Sequence, residues 1–279
     1  MESKHSTSLK KILILIRHGE RADQPLGKEK HKPKCGICDP ELTENGVLQS
    51  FKSANILLKE LSKLGIKNLD TNLVNIRSSP YMRTLQTAVH LIKGIKNSLK
   101  ISNDQNQLNK IYIDYGLREQ LKKKKNYEED FLNFLSNEKF TDLDKEFKNV
   151  TFINEDKQNE FSFDKEKTIE IFKRCRNYLY VDLQQKINKK YNDAKIFILI
   201  THSGPMQLYL YNLNYRGMVE SDYIYCGQFF FDISDGIKNA KFLSKAILPE
   251  FEKYRMYDFQ YQDDIDELNY YLDNLANKC

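Results

Sequence analysis

The sequence has few of the features that mark secreted, membrane-spanning or nucleic-acid-binding proteins. Its five cysteines are an odd number and widely scattered, which argues against a disulfide framework and favours a reducing compartment. No cleavable apolar segment follows Met1, and the longest apolar runs, at 12–16 and 196–200, are far too short to cross a bilayer. The net charge of +5 is small for 44 basic and 39 acidic residues. We therefore expect a cytoplasmic protein that binds neither membranes nor nucleic acids.

The composition is that of a folded protein with a sizeable core. Of the 279 residues, 40% are hydrophobic, and they include 17 Tyr and 16 Phe. Short apolar runs alternate with segments of helical periodicity, which is typical of an α/β protein with a parallel sheet. There is no internal repeat and no clear linker, so we predict a single domain over residues 1–279.

Two buried strands are each followed by a histidine. The apolar run at 11–16 leads into Arg17-His18-Gly19-Glu20-Arg21, and the run at 196–200 leads into Thr201-His202-Ser203-Gly204-Pro205. A buried strand that delivers cationic side chains at its carboxyl end is a common layout for an anion site in an open α/β sheet.

Two shorter predicted strands are also followed by polar residues. The strand at 73–76 precedes Ser79, a candidate cap for a helix that carries Arg83 about one turn inside its start. The strand at 111–113 precedes Asp114 and Glu119, and either carboxylate could serve as a general acid.

Three further segments are less informative. The loop at 22–41 contains Cys35-Gly36-Ile37-Cys38, but the chain has no second ligand pair at a suitable spacing, so we predict no metal. The charged residues 120–165 are interpreted as a surface insertion or cap beside the site. Residues 262–277 are predicted to form an acidic amphipathic helix.

The strand ends of a parallel sheet lie along one edge, so these side chains are expected to meet in one crevice. Two histidines, three arginines and a carboxylate suit a dianionic phosphoryl group. One histidine can act as a nucleophile, and the arginines can stabilise the transferring group without a metal.

At this point the chain resembles the histidine phosphatase superfamily, the phosphoglycerate-mutase-like proteins. The resemblance covers roughly residues 11–235. It rests on Arg17-His18-Gly19-Glu20, Leu42-Thr43-x-x-Gly46, Ser79-Pro80-x-x-Arg83-x-x-Gln86-Thr87-Ala88 and Thr201-His202. It implies a three-layer α/β/α sandwich with a mostly parallel central sheet. Arg21 and the run 39–43 are most similar to the branch of ubiquitin-associated and SH3-domain-containing phosphatases.

The resemblance also implies a role for each site residue. His18 would attack phosphorus and become phosphohistidine, while Arg17, Arg83 and His202 would hold the phosphoryl oxygens. Glu119 would be the proton donor, with Asp114 as its rival. The substrate-binding residues would be Arg21, Thr43 and Ser203, and no cofactor is expected.

Three functions stay open on the sequence alone. The first is a metal-independent phosphatase that hydrolyses a phosphomonoester, either a small molecule or a phosphoprotein. The second is a phosphomutase of the same fold, and the third is a catalytically silent protein-binding scaffold. The filled set of catalytic positions favours an enzyme over the scaffold. The oligomeric state is likewise left open, with a homodimer as one expectation.

Overall fold

The computed structural model describes residues 10–24, 39–101, 107–119, 147, 150–154, 166–215 and 224–249. Within these residues the strands are β1 (Ile12–Arg17), β2 (Val74–Ser78), β3 (Lys110–Ile113), β4 (Thr151–Asn154), β5 (Ile196–Thr201), β6 (Gln228–Asp232) and β7 (Lys241–Ala246). The α-helices are α1 (Glu44–Lys63), α2 (Met82–Leu99), α3 (Thr168–Asn177), α4 (Gln184–Lys189) and α5 (Ser203–Asn212). A π-helical turn at Tyr178–Leu183 joins α3 to α4.

The strands form one seven-stranded sheet in the order β4-β3-β2-β5-β1-β6-β7. The first five strands of this order are parallel, β6 runs antiparallel to them, and β7 pairs antiparallel with β6 and so runs in the same direction as the first five. Both β1 and β5 are buried along their whole length, as expected for central strands made of continuous apolar runs. The predicted mostly parallel α/β fold is therefore confirmed.

Helices cover both faces of the sheet. Successive side chains of a strand point to opposite faces, and β1 follows this alternation. Ile12, Ile14 and Ile16 pack into a core with apolar side chains of α1 and α2. Leu13 and Leu15 pack into a second core that includes side chains of α3 and α5. This alternation produces the predicted three-layer α/β/α sandwich.

The start of α1 lies close to the end of β1. Thr43 caps α1, because its hydroxyl oxygen accepts a hydrogen bond of 2.9 Å from the amide of Gly46. A Cβ atom on Gly46 would lie 2.2 Å from the carbonyl oxygen of Glu20, and one on Gly19 would lie 2.6 Å from the carbonyl oxygen of Gly46. Both positions therefore require glycine, since any side chain would push α1 away from the end of β1.

The structure corrects one part of the predicted insertion at 120–165. Residues 151–154 form β4, an edge strand that pairs with β3, and Phe147 is buried against α2. Residues 151–154 are therefore part of the central sheet. The rest of the predicted cap, the Cys35–Cys38 pair and the predicted helix at 262–277 lie outside the described residues.

The cap of α2 also differs from the prediction. The helix begins at Met82, and the N-cap residue is Tyr81, whose side chain makes no capping hydrogen bond. Asp39 accepts the amide hydrogen of Met82 at 2.7 Å instead. The Ser79 hydroxyl is engaged with His202, a tertiary partner that the local sequence pattern does not reveal.

Among the residues that the structure describes, no helix combines the length and the apolar character needed to span a membrane.

Candidate active site

The sheet register brings the two histidines together. β5 lies between β1 and β2, with Arg17 paired to Thr201 and Ser78 paired to Ile200. The polar residues that follow these strands are therefore neighbours at the carboxyl edge. The rings of His18 and His202 lie 5.3 Å apart between centroids, at an interplanar angle of 62°.

His18 is buried and oriented by its own backbone neighbour. Its Nδ1 lies 2.7 Å from the carbonyl oxygen of Gly19, which can only accept a hydrogen bond. Nδ1 therefore carries the proton, and Nε2 keeps its lone pair. Burial lowers the pKa of His18 well below its ordinary value, and the charges of Arg83 and Arg17 lower it further. The imidazole is consequently neutral near pH 7, as a nucleophile must be.

Arg83 offers buried donors to an anion. Its side chain is only 2% exposed, and its guanidinium lies 4.6 Å above the ring of Tyr81. Its Nη2 is 3.3 Å from a carboxylate oxygen of Glu119, and its Nη1 is 3.8 Å from one of Asp39. Nε and Nη1 have no hydrogen-bond partner within the described part of the chain. A bound anion would satisfy these two donors, which are costly to leave unpaired.

The other two arginines contribute charge from the β1 end of the site. Arg17 is buried, with its guanidinium 4.4 Å above the ring of Tyr225. Arg21 forms a two-pronged ion pair with Asp23, through Nε at 2.5 Å and Nη2 at 2.7 Å. The charges of both arginines lower the pKa of His18.

Glu119 faces both histidines from the end of β3. One of its carboxylate oxygens is 3.3 Å from His202 Nδ1 and 3.3 Å from Arg83 Nη2. Its side chain is 20% exposed, whereas His202 is fully buried. His18, Glu119 and His202 hold potential metal-binding atoms within 4.8 Å of one another. Because three arginines surround this group, its electrostatics favour an anion over a metal cation.

Asp114, the rival proton donor, has a structural position instead. It is 1% exposed, and one oxygen accepts hydrogen bonds from Arg77 at 2.7 Å and from Tyr178 at 2.8 Å. The other oxygen lies 3.2 Å from Lys186 Nζ. A carboxylate held by two cations and a phenol is stabilised in its ionised form and has little tendency to donate a proton.

Thr43 and Ser203, the other two predicted substrate-binding residues besides Arg21, lie at the starts of helices. The Thr43 hydroxyl donates a hydrogen bond to the Glu20 carboxylate at 2.7 Å and accepts the one from Gly46 that caps α1. It therefore already acts as both a donor and an acceptor within the protein. Ser203 is buried at the first position of α5, directly after His202. Their roles toward a substrate stay predictions.

Four side chains that shape the site were given no role in it by the sequence: Asp39, Ser79, Tyr81 and Tyr225. Tyr81 packs edge to face on His202 at 5.0 Å, and Tyr225 lies 5.8 Å from His18. Both tyrosines also contact an arginine of the site. Proximity to Arg83 in the sequence could have indicated Tyr81, whereas nothing near Tyr225 in the sequence points to the site.

Comparison with solved structures agrees with this fold. The chain is similar to the ecdysone phosphate phosphatase of Bombix mori, with a TM-score of 0.52, 18% identity, and coverage of 90% of this chain and 99% of that one. A phosphoserine phosphatase from Entamoeba histolytica gives a TM-score of 0.44 and 20% identity, over 86% of this chain and 98% of that one. No curated protein matches the sequence.

The family comparison covers most of the chain. The model of the histidine phosphatase superfamily (branch 1) matches residues 13–223, a range that includes His18, Arg83, Glu119 and His202. The match supports phosphomonoester hydrolysis as the activity. The matched residues include the ends of the strands that build the site. The chain therefore belongs to the histidine phosphatase superfamily, branch 1.

Proposed function

We propose that this protein hydrolyses phosphomonoesters through a phosphohistidine formed on His18, without a metal ion. The observation that carries the proposal is the hydrogen bond between His18 Nδ1 and the Gly19 carbonyl. It fixes the tautomer in which Nε2 is free to attack phosphorus. The lowered pKa of His18 keeps that nitrogen unprotonated near neutral pH.

The arginines and His202 are proposed to hold the phosphoryl oxygens. Arg83 has two buried donors without a hydrogen-bond partner among the described residues, and His202 Nδ1 is a third such atom. Arg17 and Arg21 add positive charge around His18. Donors that are fixed before the reaction stabilise the charge of the transition state without reorganisation. Thr43 and Ser203 are proposed to border the substrate.

Glu119 is proposed to move the protons. As Nε2 of His18 bonds to phosphorus, the bond between phosphorus and the leaving oxygen breaks, and Glu119 gives that oxygen its proton. Water then attacks phosphorus and loses a proton to Glu119, and the bond between phosphorus and Nε2 breaks to release inorganic phosphate. The partial exposure of Glu119 suits this role, because the leaving group must face the entrance of the site.

The substrate is proposed to be a phosphorylated small molecule or a phosphoprotein. The two solved structures named above are phosphatases of an ecdysone phosphate and of phosphoserine by their names. We further propose membership of the branch of ubiquitin-associated and SH3-domain-containing phosphatases, a cytoplasmic location and a homodimeric state. Light scattering of the purified protein tests the last of these.

The experiment is hydrolysis of p-nitrophenyl phosphate in the presence of EDTA, with wild type beside His18→Ala. We expect turnover that EDTA does not reduce and that His18→Ala abolishes. Rapid quenching should trap an acid-labile phosphoryl group on wild type only. Turnover that persists in folded His18→Ala would overturn the nucleophile assignment, and loss of wild-type turnover with EDTA would overturn the metal-free mechanism.

A further inference from the structure

We propose that Ser79 is a positioning residue that sets the tautomer of His202, so that Nδ1 of His202 presents a proton to the phosphoryl group. This inference rests on the proposed function, in which His202 holds a phosphoryl oxygen. It assigns a role to a serine that is not itself expected to touch the substrate.

The two nitrogens of His202 face different partners. Nε2 lies 2.8 Å from the hydroxyl oxygen of Ser79. Nδ1 lies 3.3 Å from the Glu119 carboxylate, beside Arg83, and is buried without a hydrogen-bond partner in the described part of the chain. Nδ1 is therefore the nitrogen that points toward the phosphoryl site.

A neutral imidazole carries its single proton on one nitrogen or the other. Burial and the charge of Arg83 lower the pKa of His202 well below its ordinary value, so the ring is neutral near pH 7. The non-bridging oxygens of an ionised phosphoryl group only accept hydrogen bonds. His202 can donate to them through Nδ1 only if its proton is on Nδ1, and a hydrogen-bond donor at Nε2 favours this tautomer.

Ser79 can supply that donor because a hydroxyl both donates and accepts. Its backbone is firmly held: the carbonyl oxygen accepts hydrogen bonds from Ser78 Oγ at 2.9 Å and from Thr84 Oγ1 at 2.8 Å, and the amide donates to Ile200 at 3.0 Å. Ser79 is also fully buried. These contacts fix the position of its hydroxyl beside His202.

The chain offers a matched control one residue away. Ser78 is also fully buried, and its hydroxyl donates to the Ser79 carbonyl and not to His202. Without it, the Ser79 backbone keeps its hydrogen bonds with Thr84 and Ile200. Ser78→Ala and Ser79→Ala thus each remove one buried hydroxyl from the same strand end. Only Ser79→Ala removes the partner of the imidazole.

The test is long-range proton–nitrogen NMR of protein labelled with ¹⁵N-histidine, with the His202 signals identified by their loss in His202→Gln. We expect wild type and Ser78→Ala to show His202 protonated on Nδ1. Ser79→Ala should lose this state in favour of the form protonated on Nε2, and Ser79→Thr, which keeps a hydroxyl, should restore it. Turnover of p-nitrophenyl phosphate should fall about 10-fold in kcat in Ser79→Ala, since one buried hydrogen bond is lost.

Two results would overturn the inference: a wild-type His202 protonated on Nε2, or a Ser79→Ala protein that keeps the proton on Nδ1. If Ser79→Ala does not fold, Ser79→Cys replaces it and should show a smaller Nδ1–H fraction than wild type; an unchanged fraction contradicts the proposal. The NMR result does not depend on turnover. Activity that survives in His18→Ala would therefore reject the proposed function and not the assignment of the Ser79 hydrogen bond.

Discussion

Arg174 on α3 holds the loop that carries Glu119. Its Nη1 lies 2.7 Å from the carbonyl oxygen of Gly116 and 3.2 Å from that of Arg118. Its Nε and Nη2 bind both oxygens of Glu166. The Tyr209 hydroxyl also donates to the Gly116 carbonyl, at 2.6 Å. The position of the proposed proton donor thus depends on the partly buried guanidinium of Arg174.

Replacement of Arg174 should therefore impair proton donation. We expect Arg174→Met to reduce kcat about 10-fold on an alkyl phosphate, because a small displacement of a catalytic group is costly. The loss on p-nitrophenyl phosphate should be smaller, since that leaving group needs little protonation. Arg176→Met is the control: Arg176 lies on the same helix, against Tyr180, and should leave both rates unchanged. Equal losses on both substrates in Arg174→Met would contradict this role.

Replacement of Glu119 should lower the catalytic rate, whereas replacement of Asp114 should lower stability. Glu119→Gln removes the proposed acid, so kcat on an alkyl phosphate should fall about 100-fold or more, with a smaller loss on p-nitrophenyl phosphate. Asp114→Asn disturbs the buried contacts with Arg77 and Lys186. It should lower the free energy of unfolding by about 3 kcal/mol and leave the dependence on the leaving group unchanged.

Rates on a series of aryl and alkyl phosphates, together with urea unfolding, make this comparison. A steeper leaving-group dependence in Asp114→Asn than in Glu119→Gln would exchange the two roles.

His90 on α2 should make stability depend on pH. Burial and the charge of Lys93 lower the pKa of His90 to about 4, whereas an unfolded histidine titrates near 6.5. Between these two pH values the unfolded chain binds a proton that the folded chain does not. The free energy of unfolding should therefore fall as the pH is lowered from about 6.5 toward about 4.

His90→Gln should flatten this dependence without loss of activity. The change is at most about 1.4 kcal/mol per pH unit, and less than this because the ring is partly solvent-exposed. Urea unfolding at several pH values measures it. Ser98→Ala, further along α2, should shift the whole curve and keep its slope. A parallel curve for His90→Gln would refute the expected pKa.

The residues that come together in the site can be predicted from the sequence, because the sheet brings them to one edge. Parallel strands end at one edge, so the residues after β1, β2, β3 and β5 converge whatever the loops between them do. His18, Arg83, Glu119 and His202 follow this rule. The proposal of Glu119 over Asp114 as proton donor rests on coordinates, since it depends on partners such as Tyr178 that are distant in the sequence.

The residues that sequence reasoning missed are placed by tertiary contacts. Asp39 reaches the start of α2 from the segment before α1, and Tyr225 reaches Arg17 from the segment before β6. Ser79 has the spacing of a helix cap, but a buried histidine binds its hydroxyl instead. The edge strand β4 was missed because it is short and lies in a charged segment.

The position of β1 in the sheet has a consequence for the growing polypeptide. Its two neighbours are β5 and β6, so Ile14 pairs with Ile198 on one side and Phe230 on the other. A ribosome makes β1 first and both neighbours much later. During that interval an apolar strand has two open edges, which is a hazard for aggregation and slows folding. We therefore expect the newly made chain to depend on chaperone protection until β6 has left the ribosome.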